Sequence, residues 1–340
     1  VRAYGRRKML ALAAGLLAGV TACSGGAPPA PTKAAESSSA RPSPSAPEPA
    51  VTREEAAEAF AEFIATDDLL RRVHSELRGR LQQAKDLTVG GQAALTVAAY
   101  SATDYAPPRY RWGSPTLLVP RFPPEERAPW FSALVTRDDQ PTLVTFARSG
   151  DYWQLSSAAR LLPGQELPPV ALDADGYATA VAADDKSVTI SPQFMGPVHA
   201  SVAETGKSGV TAGLLAPGPY TTEVAEQIAT LRGDAKFNEL SYDSIFSADN
   251  YPVYGLRTEN GGALIQYSLS RTSTTKNMVD KSYKIPVPEE AGRWLTGGTV
   301  RLSLKLTEVH QYATVVPPLT APAAAAVIAH DGGLTGAVGQ

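Results

Sequence analysis

The chain has 340 residues, 43% of them hydrophobic, with one cysteine and a formal net charge of −3. That length and apolar share leave room for about two packed domains beyond any leader, and a single cysteine excludes a disulfide framework. Four of the 31 basic residues (Arg2, Arg6, Arg7, Lys8) fall in the first eight positions, so the rest carries 27 against 34 acidic ones, a balance that argues against binding nucleic acid by phosphate neutralisation.

Those four cations form a positive n-region. Residues 9–20 follow as an uncharged apolar run, long enough for the core of an export signal and too short for a membrane-spanning helix. Val20-Thr21-Ala22-Cys23 then brings small residues up to the only cysteine. This stretch resembles the lipobox of bacterial lipoproteins. The resemblance implies a signal peptide over 1–22 and a lipidation site at Cys23, whose sulfur takes a palmitate-type diacylglyceryl group and holds the chain to the outer face of the cell membrane. An acylated sulfur is consumed, whereas a free exported thiol would stay reactive. Gly5-Arg6-Arg7-Lys8-Met9-Leu10 also resembles a twin-arginine export motif, so both that route and the general secretory one stay open.

Residues 24–50 hold seven prolines and six serines and no aromatic residue. They cannot bury enough apolar surface to offset chain entropy, so 23–50 reads as the lipidated cysteine and a disordered linker. Fully extended, it would reach ~80 Å at ~3.1 Å per residue. A first α+β domain is predicted over 51–172. It opens at Thr52-Arg-Glu-Glu55, a capping-box pattern, after which Ala56, Ala59, Phe60, Phe63 and Ile64 share one helical face. A second helix is predicted over 69–87, on Leu70, Val73, Leu77 and Leu81. Gly90-Gly91 breaks the chain, and 92–100 fits a helix or a strand. From Tyr110 the apolar period shortens to two. Residues 116–119 are β-prone, 130–136 and 142–148 flank a polar turn as a hairpin, and 152–161 make another strand.

A second α+β domain is predicted over 173–320, after a Pro/Gly-containing connector at 162–169. Ser191-Pro192 reads as a helix start. Tyr220, Val224, Ile228 and Leu231 lie on one face of a further helix, ended by Gly233. Strands follow at 237–246, 253–258 and 263–271. Val300, Leu302, Leu304 and Leu306 alternate with Arg301, Ser303, Lys305 and Thr307, so all four apolar residues are expected on the buried face of one strand. Residues 321–340 are left as a C-terminal tail. Helices followed by antiparallel strands occur twice, which gives two tandem domains, each with helices packed on a curved antiparallel sheet. The hairpins at 130–148 and 253–271 carry polar turns at the same place. Duplication accounts for this; the alternative is that any two antiparallel hairpins look this similar.

The chain resembles an uncharacterised family of actinobacterial lipoproteins. Tyr251-Pro-Val-Tyr-Gly-Leu-Arg-Thr-Glu-Asn-Gly-Gly-Ala-Leu-Ile-Gln-Tyr267 carries most of the resemblance, and Arg109-Tyr-Arg-Trp112 and Trp130-Phe131 the rest. In plan alone it is similar to the cone-shaped fold of nuclear transport factor 2 and ketosteroid isomerase relatives, a likeness that brings no catalytic residues with it.

Motifs that carry chemistry are incomplete. Gly206-Lys207-Ser208 ends like a phosphate-binding loop, but Ser201 stands where that pattern needs glycine, so a flexible loop is expected. Ser273-Thr-Thr-Lys276 fits the Ser-x-x-Lys of penicillin-binding enzymes without their companion motifs and reads as a polar loop. His74, His199, His310 and His330 lie at no metal-ligand spacing. Asp173-Ala-Asp175-Gly176 lacks the remaining ligands of a calcium loop, which leaves a turn. No catalytic residue, metal or cofactor is expected. The densest aromatic-basic stretch supplies a candidate binding face: Tyr105, Arg109, Arg111, Trp112 and Arg121, with Tyr110 and Phe122 beside them. Strand alternation offers the other reading, with Tyr110 and Trp112 in the core and Arg109 and Arg111 in water.

Two functions fit. The first is a non-catalytic, membrane-anchored extracytoplasmic lipoprotein that binds or assembles with an envelope protein or cell-wall polymer. The second is a small-molecule-binding protein or enzyme with a pocket in a cone-like domain. A deep cavity holding a carboxylate pushed up by burial would favour the second, and a filled cone the first.

Overall fold

The computed structural model of the protein describes residues 49–72, 79–248, 250–279, 283–295, 297 and 299–340. The expected signal peptide, Cys23, residues 24–48 of the linker, and His74 lie outside the described residues.

Thr52 caps the first helix as its pattern predicts, its Oγ1 accepting from the Glu55 amide at 3.0 Å. Helix α1 (Arg53–Arg72) turns Ala56, Ala59, Phe60 and Phe63 inward. Helix α2 (Arg80–Asp86) and helix α3 (Gly90–Ala102) follow. The Gly90-Gly91 pair starts α3 and lets it approach the sheet: a Cβ on Gly91 would lie 2.6 Å from Ser268 Oγ. Strands β1 (Thr116–Leu118), β2 (Trp130–Arg137), β3 (Gln140–Ser149) and β4 (Tyr152–Leu161) form an antiparallel meander. The second half repeats the order with α4 (Pro192–Thr205), α5 (Thr222–Phe237), β5 (Leu240–Ser247), β6 (Tyr254–Arg257), β7 (Ala263–Asn277), β8 (Ser303–Val316) and β9 (Ala326–Gly339). Pro192 takes the first position of α4, as expected. Helix α5 runs four residues past Gly233, because an exposed glycine inside a helix costs only ~1 kcal/mol.

The fold is α+β, and these strands form one antiparallel sheet in the order β1-β2-β3-β4-β9-β8-β7-β5, with β6 also on β7. Residues 321–340, expected as a tail, carry β9. It joins the two halves through the pairs Arg160↔His330 and Leu161↔Ala329. The regions expected as tandem domains therefore share one sheet, and Pro47–Gln340 form one compact unit. Strand β3 lies next to the seam strand β4, whereas β7 lies two strands from the seam on the other side. By position the counterpart of β3 is β8, so the hairpins at 130–148 and 253–271 stand at different places in the sheet.

The sheet folds back on itself between two helical layers. One face of β2–β4 (Phe131, Ala133, Val144, Phe146, Leu155) packs on α1. The opposite face (Trp130, Leu143, Ala159) packs on Leu256, Leu264, Ala313 and Ile328 of the second half. The far side of that half (Ile265, Tyr267, Leu269, Tyr312) is covered by Met195, Val202 and Ile228 of α4 and α5. Polar side chains tie the inner interface. Gln311 Oε1 accepts from the Ala158 amide at 2.9 Å while its Nε2 donates to the Ser156 carbonyl at 3.1 Å. Gln266 Nε2 donates to Ser132 Oγ at 3.0 Å. Buried amides are usually paired; both ends of Gln311 are, while Gln266 Oε1 is buried without a partner.

Of the four residues expected on one buried face, Val300 and Leu304 are each 3% exposed and Leu306 is partly buried. Leu302 is 42% exposed. It sits in a bend before β8 begins at Ser303, so strict alternation does not reach it.

Candidate functional site

The strands of the second half outrun their helices. Strands β7 and β8 have 15 and 14 residues, roughly 45–50 Å at ~3.3 Å per residue. Helix α5, with 16 residues, is about 24 Å long. Helices α4 and α5 therefore cover one end of the β7–β8 face and leave the other as a groove of about 830 Å³. Arg271, Ser273 and Thr275 continue the row of Tyr267 and Leu269 along β7 by the period of two. Opposite them in register stand Glu308, Leu306 and Leu304 of β8. Leu95, Ala98 and Ala99 of α3 form one wall, Leu231 and Ala235 of α5 another, and Trp294, in the 3-10 turn Glu289–Trp294, a third. Strand β9 contributes Gly332 and Gly333. Both are small, and they leave the β9 edge of the groove open.

The floor is polar. Arg271 Nη1 lies 3.5 Å from Glu308 Oε2 across the strand pair. Arg271 Nε donates to Ser244 Oγ at 2.8 Å and its Nη2 to Tyr242 OH at 3.2 Å; Tyr242 OH donates to Ser273 Oγ at 3.2 Å. Burial pushes the Glu308 carboxyl above its ordinary range, and Arg271 offsets this only in part. A separation of 3.5 Å is long for a charged hydrogen bond. The guanidinium can still donate to an oxygen in the groove, and the carboxyl can accept or, when protonated, donate. Another raised carboxyl, Asp67 on α1, is lifted by burial despite receiving Arg71 Nε at 2.9 and 2.8 Å, but it lies outside the groove.

Beyond the covered end of the groove, the fold gathers three histidines that sit far apart in sequence. His199 Nε2–H donates to the Tyr220 carbonyl at 2.6 Å, so its Nδ1 accepts from Tyr267 OH at 2.7 Å, and Tyr267 OH in turn accepts from Thr314 Oγ1 at 2.9 Å. Burial pulls the His199 pKa down to about 4. His310 Nδ1 and His330 Nε2 share one hydrogen bond at 3.0 Å, and His330 stacks on Tyr220. Both are lowered, by burial first and then by neighbouring charge. Among the described residues no group of three or more His, Cys, Asp or Glu could hold a metal ion, and no helix is long and apolar enough to cross a membrane.

The candidate binding face read from sequence lies elsewhere. Trp112 is half-buried against Phe60 and Phe63 of α1. Tyr110 sits beneath Arg71, whose guanidinium carbon is 4.1 Å from the ring centre. Each of the three arginines is engaged: Arg109 by Asp68, Arg111 by Asp139, and Arg121 by both Asp173 and Asp175. Tyr105 is exposed in a turn. Of the weaker motifs, Gly206-Lys207-Ser208 forms a 3-10 turn with Lys207 paired to Glu226. Asp173–Gly176 is the expected turn, with Asp173 Oδ1 accepting from the amides of Asp175 and Tyr177. Ser273-Thr-Thr-Lys276, expected as a polar loop, is the end of β7, and Ser273 and Thr275 face the groove. The missed signal was there: 268–276 carries polar residues at both strand parities, which an ordinary half-buried strand does not.

No solved structure matches the chain, so the architectural likeness to nuclear transport factor 2 finds no counterpart there. Three relatives are uncharacterised lipoproteins. One from Streptomyces coelicolor is 28% identical, across 90% of this chain and 87% of its own length. Another from Streptomyces avermitilis is 26% identical, across 79% and 80%. A second Streptomyces coelicolor protein is 25% identical, across 86% and 87%. The model of a domain of unknown function, DUF8094, matches residues 47–339, essentially the whole folded unit, and the chain belongs to that family.

Proposed function

We propose that the protein is a membrane-anchored extracytoplasmic lipoprotein that binds a small amphipathic molecule in the β7–β8 groove and does no chemistry on it. The observation that carries this reading is the groove itself: apolar walls around one polar floor, in a volume of about 830 Å³, which suits a small-molecule site. Glu308, raised by burial within it, is the sign that separates a binding pocket from a filled scaffold. Ser273, the serine that lines the groove, accepts from Tyr242 OH, and among the described residues no histidine or carboxylate is hydrogen-bonded to its hydroxyl, which supports binding over catalysis. Anchoring is supported by the leader, by Cys23 at its end, and by relatives that are lipoproteins.

Titration with an anionic amphiphilic fluorophore, 1-anilinonaphthalene-8-sulfonate, tests the groove. Arg271→Gln should weaken binding about tenfold, the loss of a charge-assisted hydrogen bond. Ala99→Phe, which puts a ring into the groove from its α3 wall, should abolish it. Equal binding by the parent and both folded variants refutes the site. For the anchor, Cys23→Ala should release the protein from membranes, and an intact mass without lipid on the mature N-terminus would overturn it.

A further inference from the structure

The geometry points to the mouth of the groove as a docking face for an anionic membrane surface, which makes its ligand an acyl chain of a membrane lipid; this second part rests on the groove being a binding site. Phe237, the last residue of α5, is 89% exposed. Met278, Val279, Tyr283 and Leu302 are exposed as well. Two main-chain bonds and one from a side chain bring these side chains to one end of the sheet: the Met278 amide donates to the Glu239 carbonyl at 3.0 Å, the Asn277 amide to the Leu302 carbonyl at 3.1 Å, and the Asn277 side-chain Nδ2 to the Tyr283 carbonyl at 3.2 Å. Isolated exposed apolar residues are ordinary, but five together at one end of one sheet are not. The groove opens among them, since Ala235, Asn238, Thr275, Pro286 and Leu304 line it and are their near neighbours in the chain.

The charge around this patch decides its partner. Among the described residues Lys236, Lys276, Lys284, Arg301 and Lys305 are exposed at the same end, against Glu239 beside the patch and Asp234 and Glu290 on the lining of the groove. Five cations thus outnumber three carboxylates around the patch, in a chain whose remainder is acidic. Aromatic and aliphatic tips ringed by lysines match the headgroup–acyl boundary of an anionic bilayer. A second copy is a poor fit, because a two-fold contact would set the same five cations against themselves.

Flotation of the full chain carrying Cys23→Ala, so that any binding comes from protein and not from its own lipid, tests the face. It should rise with vesicles of equal parts phosphatidylglycerol and phosphatidylcholine, and salt should weaken it. Phe237→Asp with Met278→Asp should cost at least tenfold, and Lys276→Ala roughly fivefold, with unchanged far-ultraviolet circular dichroism. Ala99→Phe should float normally yet fail to take up cis-parinaric acid, a fluorescent fatty acid. If the parent floats but takes up no cis-parinaric acid, the acyl-ligand part falls while the docking face stands. Docking is overturned if the parent does not float, or if the double aspartate variant floats equally well. A concentration-dependent dimer lost in that variant also overturns it, by assigning the face to a second copy.

Discussion

Lowering the pH from 7 to 5 should destabilise the fold through three imidazoles that cannot take up protons where they sit. His199 is fully buried, its Nε2–H spent on the Tyr220 carbonyl, and its pKa falls from 6.5 to about 4. His310 is lowered by burial and then by His330 and Arg271, and His330 by burial and then by His199 and Arg160. The unfolded chain binds protons near pH 6.5 while these native rings do not, so the unfolded state holds more protons throughout the interval and stability falls as the pH drops. For His199, a shift of that size costs roughly 2 kcal/mol at pH 5 relative to pH 7. If all three rings stay neutral in the native state at pH 5, the total approaches roughly 6 kcal/mol, against a typical stability of about 5–15 kcal/mol. Two carboxyls act with the opposite sign: Glu308 and Asp67, raised by burial, gain stability as the pH falls. Asp173, held down to about 2 chiefly by its hydrogen bond from Arg121, loses its contribution only below the ordinary carboxylate range. Urea unfolding followed by tryptophan fluorescence at pH 7, 6 and 5 measures the effect as a falling midpoint at constant slope. A midpoint that stays level between pH 7 and 5 refutes the reasoning, and His330→Gln should flatten the profile while lowering it.

Leu304→Asp should cost at least ~4 kcal/mol, combining lost burial with a carboxylate in the core, whereas Leu302→Asp should stay within about 1 kcal/mol; urea midpoints of the two variants decide it. Gly91→Ala should lower stability by about 1–3 kcal/mol, since the new methyl meets Ser268 and Val309, and differential scanning calorimetry reads the shift. Gln311→Ala should cost about 2–4 kcal/mol by leaving the Ala158 amide and the Ser156 carbonyl unpaired between the folded-over halves, and hydrogen exchange at Ala158 should accelerate.

Local patterns were legible wherever a single element decides them. The spacing of Phe60 and Phe63 marked the buried face of α1, and 152–161 marked β4 to the residue, because burial against one partner imposes a clean period. Strand β9 was hidden because Gly332, Gly333, Gly336 and Gly339 leave too few large side chains to alternate. Missing it made two halves of one sheet look like separate domains, since β9, the partner of β4 across the seam, was the strand not seen. The groove was illegible for a different reason. Its walls come from α3, α5, a 3-10 turn and four strands, and Arg271 meets Glu308 only through strand register. The arginines of 109–121 were visible from sequence, but their carboxylate partners, up to 54 positions away, were not.

The narrow seam between β4 and β9 also sets the order in which the protein can become complete. Until β9 arrives, β4 keeps an open strand edge, and Trp130, Leu143 and Ala159 wait without the layer they pack on. The missing partner is encoded at the far end of the sequence, so closure is a late, non-local event of the kind that slows folding and invites edge-to-edge association. Translocation as an unfolded chain would make that wait happen outside the membrane, beyond the reach of cytoplasmic chaperones; translocation after folding would end it beforehand. On the proposed export, the choice between the two routes would determine which compartment must guard a half-built sheet.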